Sequence, residues 1–297
     1  MRVLLSGSSG LVGSALLAWF RLGNAEVTRL VRSNLTSPGK TIHWEPEAGA
    51  LDPSQLEGFD AVIHLAGESI ASGRWTAARK RRIRDSRVLG TRLLAQALCS
   101  LSRPPKTFLC ASAIGFYGNR GEELLNEESQ PGTGFLAEVT RDWEQAAMIA
   151  SSATRVVLSR FGVILSPTGG ALRKMLLPFK LGLGGKLGRG DQFMSWIAID
   201  DVVGAIEHLL RTESLHGPIN FVSPQPLTNL EFTRTLGAAL HRPTFVVPEL
   251  LVRLAFGEMA EETLLASARV MPLRLLESSY QFRHPDLKNA LAQLLKT

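Results

Sequence analysis

Short apolar runs alternate along the chain with longer stretches in which apolar residues recur every three or four positions. The runs are rich in branched side chains, which is typical of buried strands, and the longer stretches have the period of amphipathic helices. The predicted strands cover residues 2–5, 26–31, 41–44, 59–67, 107–111 and 155–160, and the clearest helices cover 11–22, 76–101 and 135–144. Strands that alternate with helices predict an α/β fold, a doubly wound parallel sheet with helices on both faces.

A glycine-rich turn joins the first strand to the first helix. The first glycine permits the tight turn, the second lets the backbone approach a pyrophosphate, and the third lets the helix pack on the strand. A bound anion would meet free backbone N–H groups at the positive end of that helix. The sequence therefore predicts a Rossmann-type dinucleotide site. The residues of this turn that are predicted to contact the dinucleotide are Gly7, Ser9, Gly10, Leu11, Val12 and Gly13.

The residues at the end of the second strand indicate whether the cofactor is NAD(H) or NADP(H). NAD-binding members of this fold place an acidic side chain about 20 residues beyond the glycines, whereas an arginine there accommodates a 2′-phosphate. No Asp or Glu lies between Val27 and Ile42, and both Arg29 and Arg32 are present. Because side chains alternate along a strand, only Arg32, which follows Val31, is expected near the crevice. The predicted cofactor is NADP(H).

Two later stretches add to the predicted cofactor site. The fourth predicted strand ends in Leu65, Ala66 and Gly67, where small residues let a cofactor lie across the strand. In the following helix Arg87 projects from the apolar stripe, where it needs an anion or a hydrogen-bonding partner. The cofactor phosphates are the expected partner. His64 lies inside the apolar run and is interpreted as a buried structural residue.

Composition narrows the class of protein. The 297 residues carry 33 basic and 27 acidic side chains, and 45% are hydrophobic, as in an ordinary globular protein. Much of the local basic excess lies in the run 79–84, and without a recognisable reading module it predicts no nucleic-acid partner. Cys99 and Cys110 have no Cys or His at ligand spacing, which predicts neither a disulfide framework nor a metal site. No apolar run reaches the length of a membrane span, so we predict no membrane partner and a cytoplasmic location.

Motifs along essentially the full chain resemble one known superfamily. They are GSSGLVG at 7–13, DAVIHLAGE at 60–68, ASAIGFYG at 111–118, the glycine-dense stretch 169–201, GPINFVSPQPLTNLEF at 217–232 and LHRP at 240–243. Together they resemble the extended short-chain dehydrogenase/reductases. Within that superfamily they are similar to an atypical branch called the epimerase family, which closes with a short helical segment of unknown function. The name of the branch is inherited by analogy, and a fold does not fix a function.

The resemblance implies a catalytic role for Ser112, because a serine at that position polarises the substrate carbonyl or hydroxyl in the superfamily. A tyrosine followed four residues later by a lysine moves the proton there. In this chain Tyr117 is followed at that spacing by Gly121, and Tyr280 by His284, so the pair is absent. The corresponding helix positions hold side chains that transfer no proton at neutral pH: Leu136 and Thr140, or Phe135 and Val139.

Three replacements for the missing pair remain open. Tyr117 follows Ser112 closely and would face the nicotinamide if it acts as the proton donor. A substrate that needs no proton donor from the protein is another alternative. The remaining one is a carboxylate of the helix at 135–144, whose spacing predicts mostly one exposed side: Glu138, Asp142 and Glu144.

The second half of the chain is predicted to hold the substrate. Residues 1–165 form the expected dinucleotide domain, and later strands are expected to join its sheet. The last residue of this domain that is predicted to contact the cofactor is Gly162. Residues 166–297 form the substrate-side region, with a closing helical segment from about 248. By resemblance its pocket is lined by Lys174, Met175, Gln192 and Trp196.

The sequence thus predicts an NADP(H)-dependent oxidoreductase or epimerase-like enzyme for an unidentified small carbonyl or hydroxyl substrate. The alternative is a protein that has lost the reaction and uses NADPH occupancy as a regulator or scaffold. The small-molecule substrate is the expected partner, and a homodimer is left open.

Overall fold

The computed structural model of the chain describes residues 1–32 and 39–296. Its strands are β1 (Arg2–Ser6), β2 (Glu26–Val31), β3 (Thr41–His43), β4 (Ala61–His64), β5 (Thr107–Ala113), β6 (Leu124–Leu125), β7 (Arg155–Phe161), β8 (Val163–Ser166), β9 (Gly185–Leu187), β10 (Phe193–Met194), β11 (Trp196–Ala198), β12 (Gly217–Phe221), β13 (Leu227–Thr228), β14 (Phe245–Val247) and β15 (Arg269–Val270). Its helices are α1 (Leu11–Leu22), α2 (Ala77–Cys99), α3 (Phe135–Met148), α4 (Gly170–Lys180), α5 (Ile199–Arg211), α6 (Asn229–Ala239), α7 (Glu249–Phe256), α8 (Leu273–Glu277) and α9 (Leu287–Leu294). A π-helical turn covers Ala260–Leu264.

Seven of these strands form one parallel sheet, in the order β12-β7-β5-β4-β1-β2-β3. From β1 the chain first builds outward through β2 and β3, and then crosses back to add β4 and the strands beyond it. The direction of winding reverses between β1 and β4, and such a reversal opens a ligand crevice at the carboxyl ends of the strands. The prediction of a doubly wound parallel α/β sheet is confirmed.

Two hydrophobic cores cover the faces of the sheet. One includes Leu16 of α1, Trp196 of β11 and Val202 of α5. The other includes Leu94 of α2 and Trp143 of α3. The central strands are buried on both faces, which explains why they appear in the sequence as continuous apolar runs rather than as alternating ones.

Several element boundaries differ from the prediction. β5 continues through Ala113, because Ser112 and Ala113 pair in register with Arg160 and Phe161 of β7. α5, which is not among the helices predicted above, begins at Ile199 and has Asp200 and Asp201 in its first turn. Helix α3 runs on to Met148, four residues past the predicted end at 144.

The closing segment of the chain is tied to α5 through one buried carboxylate. Asp201 is 0% exposed. It accepts hydrogen bonds from the backbone N–H groups of Arg283 at 2.7 Å and His284 at 2.9 Å, and lies 3.2 Å from the Tyr280 hydroxyl. These bonds make Asp201 a structural group, and they fix residues 280–284 to the first turn of α5. In the described part of the chain, no helix has both the length and the apolarity to cross a membrane.

Candidate cofactor site

The turn between β1 and α1 has no room for side chains at two of its glycines. Gly7 has a φ of +68°, and a Cβ atom there would lie 2.6 Å from the carbonyl of Leu65. A Cβ on Gly13 would lie 2.2 Å from the carbonyl oxygen of Gly7. Both obstacles are backbone atoms, which cannot rotate away. Only glycine permits β1, α1 and the end of β4 to meet this closely, and the turn therefore passes directly along the crevice.

The N-terminus of α1 is open toward that crevice. Its N-cap is Gly10, which offers no side chain to the helix, and no acidic residue lies in the first turn. The N–H groups of the first turn of a helix have no partner within the helix. Together with the helix dipole they suit an anion such as a pyrophosphate. Ser9 and Gly10 are exposed there, and Leu11 and Val12 are half-buried.

A hydrogen-bonded pair beneath the turn holds the ends of β1 and β4 together. The Ser6 hydroxyl shares a 2.6 Å hydrogen bond with His64 Nδ1 and accepts one from the Leu65 N–H at 3.1 Å. His64 is fully buried, and burial lowers its pKa to about 4. The ring is therefore neutral at pH 7. It acts as a structural support for the segment Leu65–Gly67.

The two arginines that the sequence assigns to the cofactor site lie in different environments. Arg32 directly follows Val31 at the end of β2 and is exposed, and its carbonyl oxygen lies 3.0 Å from His43 Nε2. Arg87 is half-buried on α2, where its guanidinium lies 5.2 Å from the ring centroid of Trp143.

Arg87 also lies next to the end of β4. Its Cζ would be 3.5 Å from a Cβ on Gly67, and its Nη1 donates to the Ile83 carbonyl at 2.9 Å. Burial lowers the pKa of Arg87 to about 10, so the side chain remains charged at pH 7. Among residues 1–32 and 39–296, no carboxylate lies within 4.0 Å of it, and its other N–H donors remain available to an anion in the crevice.

Ser112 is buried near the carboxyl end of β5. Its side chain is 2% exposed, and its hydroxyl donates to Glu144 Oε1 at 2.6 Å. Arg160 donates to both oxygens of the same carboxylate at 2.8 Å, from Nε and Nη2. This placement corrects two expectations. Ser112 is bonded to a buried ion pair rather than directed at a substrate, and Glu144 is buried rather than on the exposed side of α3.

Tyr117 belongs to the same buried network. It is 0% exposed, donates to Asn220 Oδ1 at 2.8 Å and accepts from Arg160 Nη1 at 2.9 Å. Burial raises its pKa to about 12. The guanidinium of Arg160 also lies 3.5 Å from the ring centroid of Phe116. The hydroxyl of Tyr117 has two protein partners and is not exposed, which disfavours Tyr117 among the three replacements that the sequence leaves open.

The start of α3, where the resemblance implies the superfamily's tyrosine and lysine, packs against the turn after β5. A Cβ on Gly115 would lie 3.3 Å from the Leu136 side chain and 3.8 Å from Thr140 Oγ1, and the Thr140 hydroxyl donates to the Leu136 carbonyl. Glu262, from the π-helical turn, accepts hydrogen bonds at 2.7 Å from the backbone N–H groups of Phe135 and Leu136. A carboxylate thus caps this helix end.

The residues predicted by resemblance to line the substrate pocket do not all reach one surface. Lys174 is exposed, and its Nζ donates to the Ala71 carbonyl at 3.2 Å, beside the loop after β4. Met175 is half-buried against the core. Trp196 is 0% exposed, and its indole N–H donates to the Gln225 carbonyl, so it belongs to the core rather than to a pocket.

Contacts within the protein also account for the residue types at positions 192 and 162, Gln192 and Gly162. Gln192 is 7% exposed and donates to the carbonyls of Leu187 and Leu264. A Cβ on Gly162 would lie 2.6 Å from the Ser195 carbonyl oxygen, so a glycine is required there whether or not a cofactor binds.

The buried network contains residues that the sequence interpretation missed. Arg160, Asn220 and Glu127 had no assigned role, yet Glu127 accepts from the Asn220 backbone N–H at 2.9 Å. One signal was present in the sequence. Arg160 is a charged residue at the end of a strand whose centre is apolar, and a buried charge requires a partner.

The sheet order, the glycine turn and the open helix end together define a Rossmann-type nucleotide-binding protein of the short-chain dehydrogenase/reductase kind. Residues 3–221 match the NAD dependent epimerase/dehydratase family, and residues 247–294 match a domain of unknown function. The chain belongs to the NAD dependent epimerase/dehydratase family.

Relatives and solved structures cover nearly the whole chain. An epimerase family protein of Mycobacterium bovis is 44% identical over 97% of this chain and 96% of its own length. The crystal structure of human epimerase family protein SDR39U1 with NADPH matches with a TM-score of 0.92 at 36% identity, covering 100% of this chain and 99% of that one. A nucleoside-diphosphate sugar epimerase from Corynebacterium glutamicum matches with a TM-score of 0.83 at 39% identity, covering 99% of this chain and 58% of that one.

Proposed function

We propose that this protein binds NADP(H) in the crevice between β1 and β4. The observation that carries the proposal is the turn at Gly7 and Gly13, which excludes any side chain and leads into a helix end without a cap. Such a turn lets a pyrophosphate approach the backbone N–H groups. The human relative, whose crystal structure contains NADPH, supports the same cofactor.

The choice of NADP(H) over NAD(H) rests on Arg32. It stands at the carboxyl end of β2, where the fold places the group that meets the adenosine ribose. Neither β2 nor β3 carries an acidic side chain at its carboxyl end, although Glu45, two residues beyond β3, lies 3.8 Å from His43 Nε2. A guanidinium at the position of Arg32 is suited to a 2′-phosphate. Arg87 would meet the pyrophosphate from the other side of the crevice.

The chemistry that we propose is hydride transfer between the nicotinamide and a small carbonyl or hydroxyl substrate, which is the reaction the cofactor supplies when bound. The protein's own residues would position the cofactor and exclude water from part of the crevice. Ser112 and Tyr117 are bonded within the protein, and Leu136 and Thr140 transfer no proton. The substrate would therefore exchange its proton with water.

A second candidate is an NADP(H)-binding protein without turnover, whose shape or partner depends on cofactor occupancy. The burial of both candidate catalytic hydroxyls, Ser112 and Tyr117, favours it. In this case the buried network would be structural only, and the cofactor would act as a ligand.

The first test is a fluorescence titration of the purified protein with NADPH and NADH. We expect tight NADPH binding and weaker NADH binding in the wild type. Replacing Arg32→Asp should weaken NADPH binding roughly tenfold to a hundredfold, because it removes a charge-assisted bond and adds like-charge repulsion. The control Arg92→Asp, at an exposed position of α2, should leave both affinities unchanged.

Unchanged discrimination in Arg32→Asp would contradict the assignment of Arg32. Absence of binding to either dinucleotide would overturn the proposed function itself. Once binding is established, carbonyl compounds are screened for oxidation of the bound NADPH. Turnover that survives Ser112→Ala would support hydride transfer with a proton from water, and absence of turnover across the screen would favour the second candidate.

A further inference from the structure

Helix α7 turns its apolar stripe toward solvent. Leu250 is 66% exposed, Leu251 55% and Leu254 61%, whereas Val252 is 3% exposed. At about 100° per residue the three leucines share one stripe, and Val252 lies on the opposite side of the helix. A helix on the surface of a globular protein normally directs this stripe at the core. This exposure therefore requires an explanation.

Two further segments, β14 and the turn after α4, also expose apolar side chains. Phe245 and Val246 of β14 are 57% and 58% exposed, and Leu181 and Leu183 after α4 are 65% and 69% exposed. The Phe245 N–H donates to the Gly184 carbonyl at 3.1 Å, which places the two segments side by side. We call the whole surface the apolar face. It consists of Leu181, Leu183, Phe245, Val246, Leu250, Leu251 and Leu254.

Two of the three segments that build the apolar face carry positive charge without negative charge, and the third, α7, carries both Glu249 and Arg253. Neither 169–190 nor 232–248 contains an Asp or Glu. Asp191 and Glu249, at the margins, are each paired with an arginine, Arg189 at 2.8 Å and Arg253 at 2.7 Å. The cations of the two segments are Arg173, Lys174, Lys180, Lys186, Arg189, Arg234 and Arg242.

A groove at the edge of the apolar face combines both properties. It has a volume of about 390 Å³ and is lined by Lys186, Arg234, Thr233, Thr244 and Phe245, among others. The two cations and two hydroxyls suit a phosphate, and the adjoining aromatic ring suits a hydrocarbon chain. A large exposed apolar surface on a folded protein indicates a site where it binds a partner or a membrane.

We propose that the apolar face docks on an anionic phospholipid surface, with α7 lying in the plane of the interface. The leucines would enter the boundary between headgroups and acyl chains, and the surrounding cations would meet lipid phosphates. A second copy of the chain is a poorer occupant, because the cations of two such faces would meet while the neighbouring carboxylates Asp191 and Glu249 are already paired within the chain. The proposal concerns a peripheral contact. It revises the expectation of no membrane partner, which considered only spanning segments.

The test is sedimentation of the full-length protein with vesicles of phosphatidylcholine containing phosphatidylglycerol. We expect the wild type to sediment with these vesicles at low salt and to be released by high salt. The combined variant Leu250→Gln/Leu251→Gln/Leu254→Gln and the combined variant Lys186→Gln/Arg234→Gln should each lower the partition coefficient roughly tenfold or more. The matched controls are Leu22→Gln, at a leucine 82% exposed on α1, and Arg92→Gln, on α2, and both should bind as the wild type does.

The folding of each variant is checked independently by its thermal unfolding and by its affinity for NADPH, so a loss of vesicle binding is not confused with a loss of structure. Failure of the wild type to bind anionic vesicles would overturn the proposal. Equal binding to pure phosphatidylcholine would overturn the role of the cations. A concentration-dependent dimer that the leucine variant abolishes, without vesicle binding, would assign the face to a second copy instead.

Discussion

His64 is an ionisable side chain placed where a charge is costly. It lies between Trp44, whose ring is edge-on at 5.7 Å, and Phe108, whose ring is stacked at 6.5 Å. Nδ1 is hydrogen-bonded to Ser6, and Nε2 has no partner in the part of the chain that the structure describes. A neutral imidazole tolerates this environment, whereas an imidazolium would bury an unpaired charge.

This placement predicts a loss of stability in mild acid. Burial lowers the pKa of His64 from 6.5 in the unfolded chain to about 4 in the fold. As the pH falls through that window the unfolded chain takes up a proton that the folded chain refuses, so the free energy of unfolding decreases. The full effect is about 3 kcal/mol. Urea unfolding of the wild type and of His64→Gln, at about pH 7 and about pH 4.5, measures it. The variant should lose less stability on acidification, and an equal loss in both proteins would contradict this account.

Individual side chains were the hardest part of the site to predict. The spacing of Gly7, Gly10 and Gly13 was sufficient to predict the turn, because their requirement is local. The direction of Ser112 depends on where β5 ends, and its partner Glu144 lies 32 positions away along the chain. Side chains alternate between the two faces of a strand, so a small error in register reverses their assignment. No sequence pattern fixes that register.

Two interactions connect helix α3 to other elements, one at its first turn and one further along the helix. Glu262 caps its first turn, and Glu144, further along the helix, pairs with Arg160 of β7. Glu144 and Arg160 are 8% and 3% exposed, so the pair is shielded from water. A buried ion pair need not add stability, but breaking it leaves an unpaired charge in a poorly polar environment.

Replacement of one partner should therefore cost more than replacement of both. Arg160→Met leaves the Glu144 carboxylate with only the Ser112 hydroxyl and should lower the free energy of unfolding by about 3–5 kcal/mol. The double variant Arg160→Met/Glu144→Leu should recover a substantial part of that loss. Urea unfolding measures both. The control is Arg84→Met, which removes the more exposed Arg84–Asp142 pair and should cost about 1 kcal/mol or less. A double variant less stable than the single one would contradict the argument.

The long helices could be predicted from the sequence, whereas the short strands could not. α2 begins one residue after the predicted start, since Thr76 is its N-cap and its hydroxyl accepts from the Arg79 N–H. The paired strands β10 and β13 contain two residues each, too few to express any period. Their pairing joins segments more than thirty positions apart, so it is set by the tertiary fold rather than by local preference.

The chain leaves the central sheet after β7 and returns to it only at β12. The first 165 residues, the predicted dinucleotide domain, therefore lack the strand that covers the outer edge of β7. They also lack α5, whose Val202 and Ile206 are fully buried in the core of one face. The two predicted regions are interdependent in their packing, although they differ in their expected tasks.

A fragment of residues 1–165 should consequently fail to fold cooperatively. It would expose an unpaired strand edge and the apolar face of the sheet that α5 covers, and both favour aggregation. Circular dichroism with thermal unfolding, in parallel with the full chain, provides the measurement. A fragment that melts in a single sharp transition and binds NADPH would show that the first 165 residues are an independent domain.

The segment of the chain between β7 and β12 also affects how such a protein can diverge during evolution. Its two ends are fixed at adjacent strands, while everything between them lies outside the sheet. Mutation can lengthen, shorten or exchange the parts of that segment outside β11 and α5 while those two core elements, the glycine turn and the strand order persist. Lineages descended from one ancestor would then inherit the same cofactor and diverge in what they act upon, so their common ancestry is more easily recognised at the first helix than at the substrate.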